Sequence, residues 1–165
     1  KKKKKDFEKR LQHAINKGRA AKDEEIRQEV GKKMTEEEFR NLHLKYRLEL
    51  TDHIDSCLKK LADHFPGFQF NTLMGEEGWG SKITRDDVSL NSGKQARTLY
   101  SRLEMIVRPF TETHILELVA KATIRNKEIY NRSHYQFIAE ADMQSFEDLM
   151  DLWILEFAEQ FSFQG

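Results

Sequence analysis

His53 and Cys57 stand four residues apart in a stretch whose apolar residues recur at steps of three and four, so both fall on one flank of a helix. An imidazole nitrogen and a thiolate at that spacing could begin a zinc site. His64 follows seven residues on, and Asp52 and Asp55 are close in sequence. A zinc site needs three or four ligands and polar groups to orient them, and the chain has neither a CxxC nor an HExxH. The reading is therefore a buried Cys57 on the helix stripe with solvated histidines beside it, and no residue is assigned to a metal.

Other spacings that could carry chemistry are weaker. Gly75-x-x-Gly78-x-Gly80 reverses the order of the dinucleotide fingerprint, lies between strands rather than before a helix, and holds Glu76 and Glu77, which would repel a pyrophosphate. Ser92-Gly93-Lys94 resembles the tail of a phosphate-binding loop, but Val88 stands where the first glycine belongs. Asp86 and Asp87 are adjacent, so on a strand they point to opposite faces and form no acid–base pair. Asn131-Arg-Ser133 fits a glycosylation acceptor, which has no use inside a cell. No nucleophile–base arrangement can be read from the linear order, so no catalytic or cofactor-binding residue is named and the reading leans away from an enzyme.

A charge asymmetry is the strongest compositional feature. Residues 1–33 hold 13 Lys/Arg against 6 Asp/Glu, while residues 133–165 hold 7 Asp/Glu and no Lys or Arg, although the whole chain is neutral. Cys57 is the only cysteine, which excludes an internal disulfide and suits a reducing compartment. No apolar stretch is long enough to span a bilayer, and the five leading lysines are followed by Asp6, Phe7 and Glu8 rather than the apolar core of a signal peptide. A cytoplasmic location is expected. With 38% hydrophobic and 34% charged residues, the 165-residue chain can bury one core and still carry a highly polar segment.

Helices come first. Residues 6–30 have a thin stripe of Phe7, Leu11, Ile15, Ile26 and Val30, crossed by Gly18 and ended by Gly31. Thr35-Glu36-Glu37-Glu38 fits a capping box, with Met34 and Phe39 spaced for a hydrophobic staple. The stripe Phe39, Leu42, Tyr46, Leu50, Ile54, Cys57/Leu58, Leu61, Phe65 then runs to Pro66-Gly67, which predicts a helix over 35–64.

The period changes to two after Gly67. Phe68–Thr72 and a segment within 81–90 read as strands around a Gly75–Gly80 turn, with 91–97 as a loop. Residues 99–139 read as a three-stranded meander, with Leu103/Met105/Val107 and Leu116/Leu118/Ala120/Ala122/Ile124 on its apolar face. Asn126-Lys127 is the expected hairpin turn, pairing Ile124 with Ile129, Ala122 with Asn131, Ala120 with Ser133, Leu118 with Tyr135 and Leu116 with Phe137. A last helix is expected over 143–161, capped by Asp142 or Ser145, with Phe146, Leu149, Met150, Trp153, Phe157 and Phe161 inward.

Strand runs flanked by helices, without βα alternation, give an α+β class: two N-terminal helices, about five antiparallel strands in a meander and one C-terminal helix packed on one sheet face. Residues 1–33 form a basic helical extension and 34–165 a single domain. In that register Arg102, Arg108, Lys121, Arg125, Tyr130, Arg132 and His134 share the outer sheet face and, with Lys9 and Arg10, could bind anions or nucleic acid. Glu104, Glu117 and Glu128 interleave with them, and Ile106, Ile115, Val119 and Ile138 add aliphatic surface. The favoured function is a non-enzymatic protein-interaction module that self-associates, as a dimer, through Phe7, Leu11, Ile15, Ile115, Val119 and Ile138. One alternative is nucleic-acid binding through the basic helix and sheet face. Another is a small-ligand binder or enzyme with a pocket between the sheet and helix 35–64.

Overall fold

The computed structural model describes residues 2–31, 34–89 and 96–164, with side chains of the first helix described over 6–25. The order is α1 (Lys2–Gly31), α2 (Glu36–His64), β1 (Gln69–Gly75), β2 (Gly78–Ser89), β3 (Arg97–Val107), β4 (Ile115–Ile124), β5 (Lys127–Phe137), a 3-10 turn at Ile138–Glu140 and α3 (Met143–Gln164). The five strands form one antiparallel sheet in the order β1-β2-β3-β4-β5, and α2 and α3 pack against each other and against one sheet face. The α+β class is thus the observed one. The suggested phosphate-loop tail, Ser92-Gly93-Lys94, lies outside the described residues.

Local chemistry accounts for α2. The Thr35 hydroxyl accepts from the Glu38 amide at 3.1 Å, satisfying one of the donors a helix start leaves open. Phe65 leaves the helical region and Gly67 takes φ 101°, which turns the chain into β1. Along the stripe Phe39, Leu50, Ile54, Leu58 and Leu61 are buried. They meet Ile83, Leu103, Met105, Leu116 and Leu118 of the sheet and Phe146, Met150, Trp153 and Phe157 of α3 in one core. Each such side chain contributes roughly 1.5–3 kcal/mol on leaving water. A helix of this length gains its stability from that face rather than from propensity.

The β1–β2 connection is a tight hairpin. Gly75 pairs with Gly78, so Glu76 and Glu77 alone form the turn, and Trp79 and Gly80 belong to β2. Gly80 permits a close strand approach: a Cβ there would lie 1.9 Å from the Met105 carbonyl oxygen. Trp79 turns toward α2, where the Arg47 guanidinium covers its ring at 4.0 Å.

The β4–β5 register differs from the expected one. The turn residues are Arg125 and Asn126, both with positive φ (49° and 69°), rather than Asn126-Lys127. Asn126 is held on three sides: its amide donates to the Tyr100 carbonyl, its Oδ1 accepts from the Tyr100 amide and its Nδ2 donates to Thr98. Ile124 therefore pairs with Lys127, and an irregularity at Ala122/Thr123 sets the pairs Ala122–Tyr130, Ala120–Arg132, Leu118–His134 and Leu116–Gln136. A shift of one residue exchanges the two faces of a strand. Tyr130, Arg132 and His134 consequently lie on the helix side of the sheet, Tyr130 buried and Arg132 still 38% exposed, whereas Tyr135, expected in the core, is 55% exposed. Ile138, expected at a contact surface, is fully buried in the 3-10 turn, its amide donating to the His114 carbonyl.

Those inward polar groups fasten α3. The Tyr130 hydroxyl donates to the Trp153 carbonyl at 2.8 Å, and Arg132 holds Glu156 with two bonds of 2.5 and 3.1 Å. The Arg132 pair keeps the Glu156 carboxyl below the ordinary range, by hydrogen bonding first. Burial raises the Tyr130 phenol far above its usual value, so it remains a donor. Gln136 donates to Ser145, and Asp142 caps α3 through the Gln144 amide.

Two stability measurements follow. Tyr130→Phe leaves the Trp153 carbonyl without its side-chain partner and should lower the unfolding free energy by about 1–2 kcal/mol in urea titration. Gly80→Ala forces β2 and β3 apart and should cost about 1–3 kcal/mol or more, a loss larger than that of Gly75→Ala, where a Cβ meets open space.

Candidate functional site

Helical spacing places His53 and Cys57 together on the flank of α2, one residue away from buried Ile54 and Leu58. The same spacing on α3 places Glu147 and Asp151 together, each one residue from buried Phe146 and Met150. The two helices pack so that these pairs face each other. Asp151 Oδ1 lies 2.9 Å from His53 Nε2 and 3.7 Å from Cys57 Sγ, and Cys57 Sγ lies 3.5 Å from His53 Nε2. Glu147 Oε1 stands 4.0 Å from the other imidazole nitrogen, Nδ1. The His53 and Glu147 side chains are each 25% exposed and Asp151 is 49% exposed, so the cluster is sheltered but reachable from solvent.

A groove of about 660 Å³ opens beside the cluster between α2 and α3. Cys57 and Asp151 line it, with Lys60 and His64 at its polar margin and Leu61, Ile154 and Leu155 along its apolar wall. The space between α2 and the sheet, where the small-ligand alternative would put its pocket, is filled by Leu50, Ile54, Leu58, Ile83 and Leu103, all fully buried. A smaller depression of about 200 Å³ lies at the Gly75–Gly78 turn, next to Glu76, Glu77 and Glu104.

Burial pushes the Cys57 thiol pKa up, and the charge and hydrogen bond of Asp151 push it further, against a smaller opposing effect of Lys60. A nucleophilic cysteine needs the reverse, a thiolate steadied by positive charge. The cluster's three convergent donor atoms are of the types that ligate borderline divalent cations.

The residues expected to form a basic face are dispersed. Lys9 and Arg10 are exposed on α1. Arg102 and Lys121 lie on the sheet face away from the helices, with Glu104 between them in the paired strands. Arg108 is engaged by the Glu77 carbonyl at 2.9 Å and stands 3.9 Å from Glu117. Arg125 sits in the β4–β5 turn. Tyr130, Arg132 and His134 turn inward, as the register requires. Of the expected contact residues, Phe7, Leu11 and Ile15 are 64%, 48% and 39% exposed, and Ile115 and Val119 are half-buried on the outer sheet face. Among the described residues, no helix is long and apolar enough to cross a membrane.

The sequence reading missed Asp151 and Glu147 as partners of His53, since nothing local marks them. It also missed His43, whose place between Phe39 and Tyr46 on the α2 stripe could have signalled burial. His43 is 3% exposed, edge-on to Phe110, with Nε2 unpartnered.

No family model matches the chain, and neither the curated proteins nor the solved structures contain a match to it.

Burial lowers the pKa of both His43 and His134, aided at His43 by the nearby Arg47 charge and opposed there by a hydrogen bond to the Arg108 backbone. Both are neutral in the folded chain at a pH where the unfolded chain binds a proton. Their contribution to stability is complete above the ordinary value near 6.5 and is lost as pH falls through the depressed folded values. Urea midpoints should therefore drop between pH 7 and pH 5. The slope for each histidine is at most about 1.4 kcal/mol per pH unit, and it should shrink in His43→Leu.

Proposed function

We propose that this chain is a protein-interaction module that self-associates, with the first half of α1 from one copy docking on α3 of another. The observation that carries the reading is the stripe Phe7–Leu11–Ile15, spaced at four residues on a basic helix and 39–64% exposed. Among the described residues α1 meets the rest of its own chain at the 3-10 turn, with Ala20 and Glu24 beside it, while Phe7, Leu11 and Ile15 keep much of their surface exposed. A helix so thinly striped gains too little from burial to be stable alone.

The same chain carries a surface of matching character. On α3, Leu152 and Leu155 are 63% and 65% exposed, flanked by Asp148 and Glu159. Lys9, Arg10, Lys17 and Arg19 on α1 would face these carboxylates while the aliphatic residues meet. Apolar contact would supply the affinity, and the charge match would supply encounter rate and orientation. If each copy offers both surfaces to the other, the contact closes as a symmetric dimer.

The nucleic-acid reading is the weaker one, since its sheet-face residues are dispersed, Tyr130 and His134 lie on the helix side and Arg132 is engaged by Glu156. Light scattering on residues 1–165 tests the two. The expected result is a dimer at low salt that weakens as salt rises, and that becomes a monomer in Leu11→Asp and in Leu155→Asp with unchanged circular dichroism. A monomer at all concentrations and salts defeats the self-association reading. Salt-dependent RNA binding lost in Lys9→Glu/Arg10→Glu would then favour the alternative.

A further inference from the structure

We propose that His53 Nε2, Cys57 Sγ and Asp151 Oδ1 form a binding site for a divalent cation of the zinc class, with the fourth coordination position opening into the groove between α2 and α3.

Geometry is the first argument. A tetrahedral zinc ion with bonds of about 2.0–2.3 Å separates its nitrogen, oxygen and sulfur ligand atoms by about 3.4–3.6 Å. The two edges that involve sulfur are 3.5 and 3.7 Å. The imidazole–carboxylate edge is 2.9 Å, a hydrogen bond, and would need to open by about 0.5 Å to admit the cation. Such a change is within reach of small χ rotations of a side chain that is half exposed, as Asp151 is.

Support around the ligands is the second argument. His53 and Cys57 project from one helix and Asp151 from another, and both helices are anchored in the core on either side of the cluster. Glu147 stands behind His53 on its Nδ1 side. With Nε2 on the cation, Nδ1 carries the imidazole proton and faces that carboxylate, the carboxylate–histidine–metal arrangement that orients ligating imidazoles. Glu147 is thus a positioning residue, separate from the three ligands.

Charge is the third. Binding sends the thiol proton to solvent, and with Nε2 on the cation the imidazole carries its one proton on Nδ1. Thiolate and carboxylate together then balance the two positive charges of the cation, so a half-buried site holds no net charge. A soft thiolate beside an imidazole selects zinc or cobalt over magnesium or calcium, which prefer all-oxygen shells. Three protein ligands with an adjoining cleft match the arrangement of sites that keep one position for water or a ligand atom. This inference does not depend on self-association.

The test is a titration of tag-free chain 1–165 with cobalt(II), then zinc. The expected result is saturable one-to-one binding with a thiolate-to-cobalt charge-transfer band, which zinc abolishes by displacement. Cys57→Ser should remove the band, His53→Gln and Asp151→Asn should each weaken binding at least about tenfold, and Glu147→Gln should weaken it by about tenfold or more. Leu11→Asp should leave all of this unchanged. No charge-transfer band at saturating cobalt, or unchanged affinity in Asp151→Asn, overturns the proposal. Should a variant fail to fold, the unaltered chain still decides: zinc must slow the reaction of Cys57 with a disulfide reagent and a chelator must restore it, and an unchanged rate overturns the site.

Discussion

The backbone of Arg125 and Asn126 decides the rest of the structure. Two consecutive residues with positive φ make the turn whose twist suits a two-residue hairpin, and the three bonds from Asn126 to β3 fix where it falls. That position sets the β5 register. The register sends Tyr130 and Arg132 to the helix side, where they hold the Trp153 carbonyl and Glu156. With α3 fixed lengthwise in this way, Asp151 arrives beside His53 and Cys57. A turn placed one residue later would reverse β5 and leave α3 to be located by apolar packing alone, which discriminates poorly between neighbouring helical positions.

The helices were legible because their signals are local. Thr35 and Glu38 are three residues apart, and the Thr35 hydroxyl accepts from the Glu38 amide within one turn. The α2 stripe declares its period within the helix itself, and α3 buries the expected Phe146, Met150, Trp153, Phe157 and Phe161. The strand order was legible as well, since short connections favour neighbours. The β4–β5 register was not. Asn126 tolerates positive φ in either of two adjacent turns, and side-chain matching supported the wrong one. The deciding element was Arg125 at φ 49°, a conformation rarely adopted by a long side chain and stabilised here by a bond from its amide to the Ser101 hydroxyl.

The candidate site was half legible. His53 and Cys57 announce themselves by spacing, but Asp151 stands 94 residues from Cys57 and 98 from His53. Asp55, the acidic neighbour that sequence alone would nominate, instead accepts a hydrogen bond from the buried Ser81 hydroxyl on β2. Proximity in sequence thus named the wrong carboxylate, because a helix turns Asp55 toward the sheet and leaves the flank bearing Cys57 for α3. The aromatic groups repeat the point: Phe65 and Phe68 close on Phe161 across the same span.

The consecutive strand order also sets an order of assembly. Every strand pairs with its neighbour in sequence, so the meander closes only short loops, whereas α2 and α3 meet across nearly the whole sheet and depend on its prior formation. The contact between Cys57 and Asp151 is therefore expected among the last to form as the chain folds and among the first to part as it opens. A refolding experiment that followed strand pairing and Cys57 protection together should find the second lagging the first, and simultaneous recovery of both would refute that order.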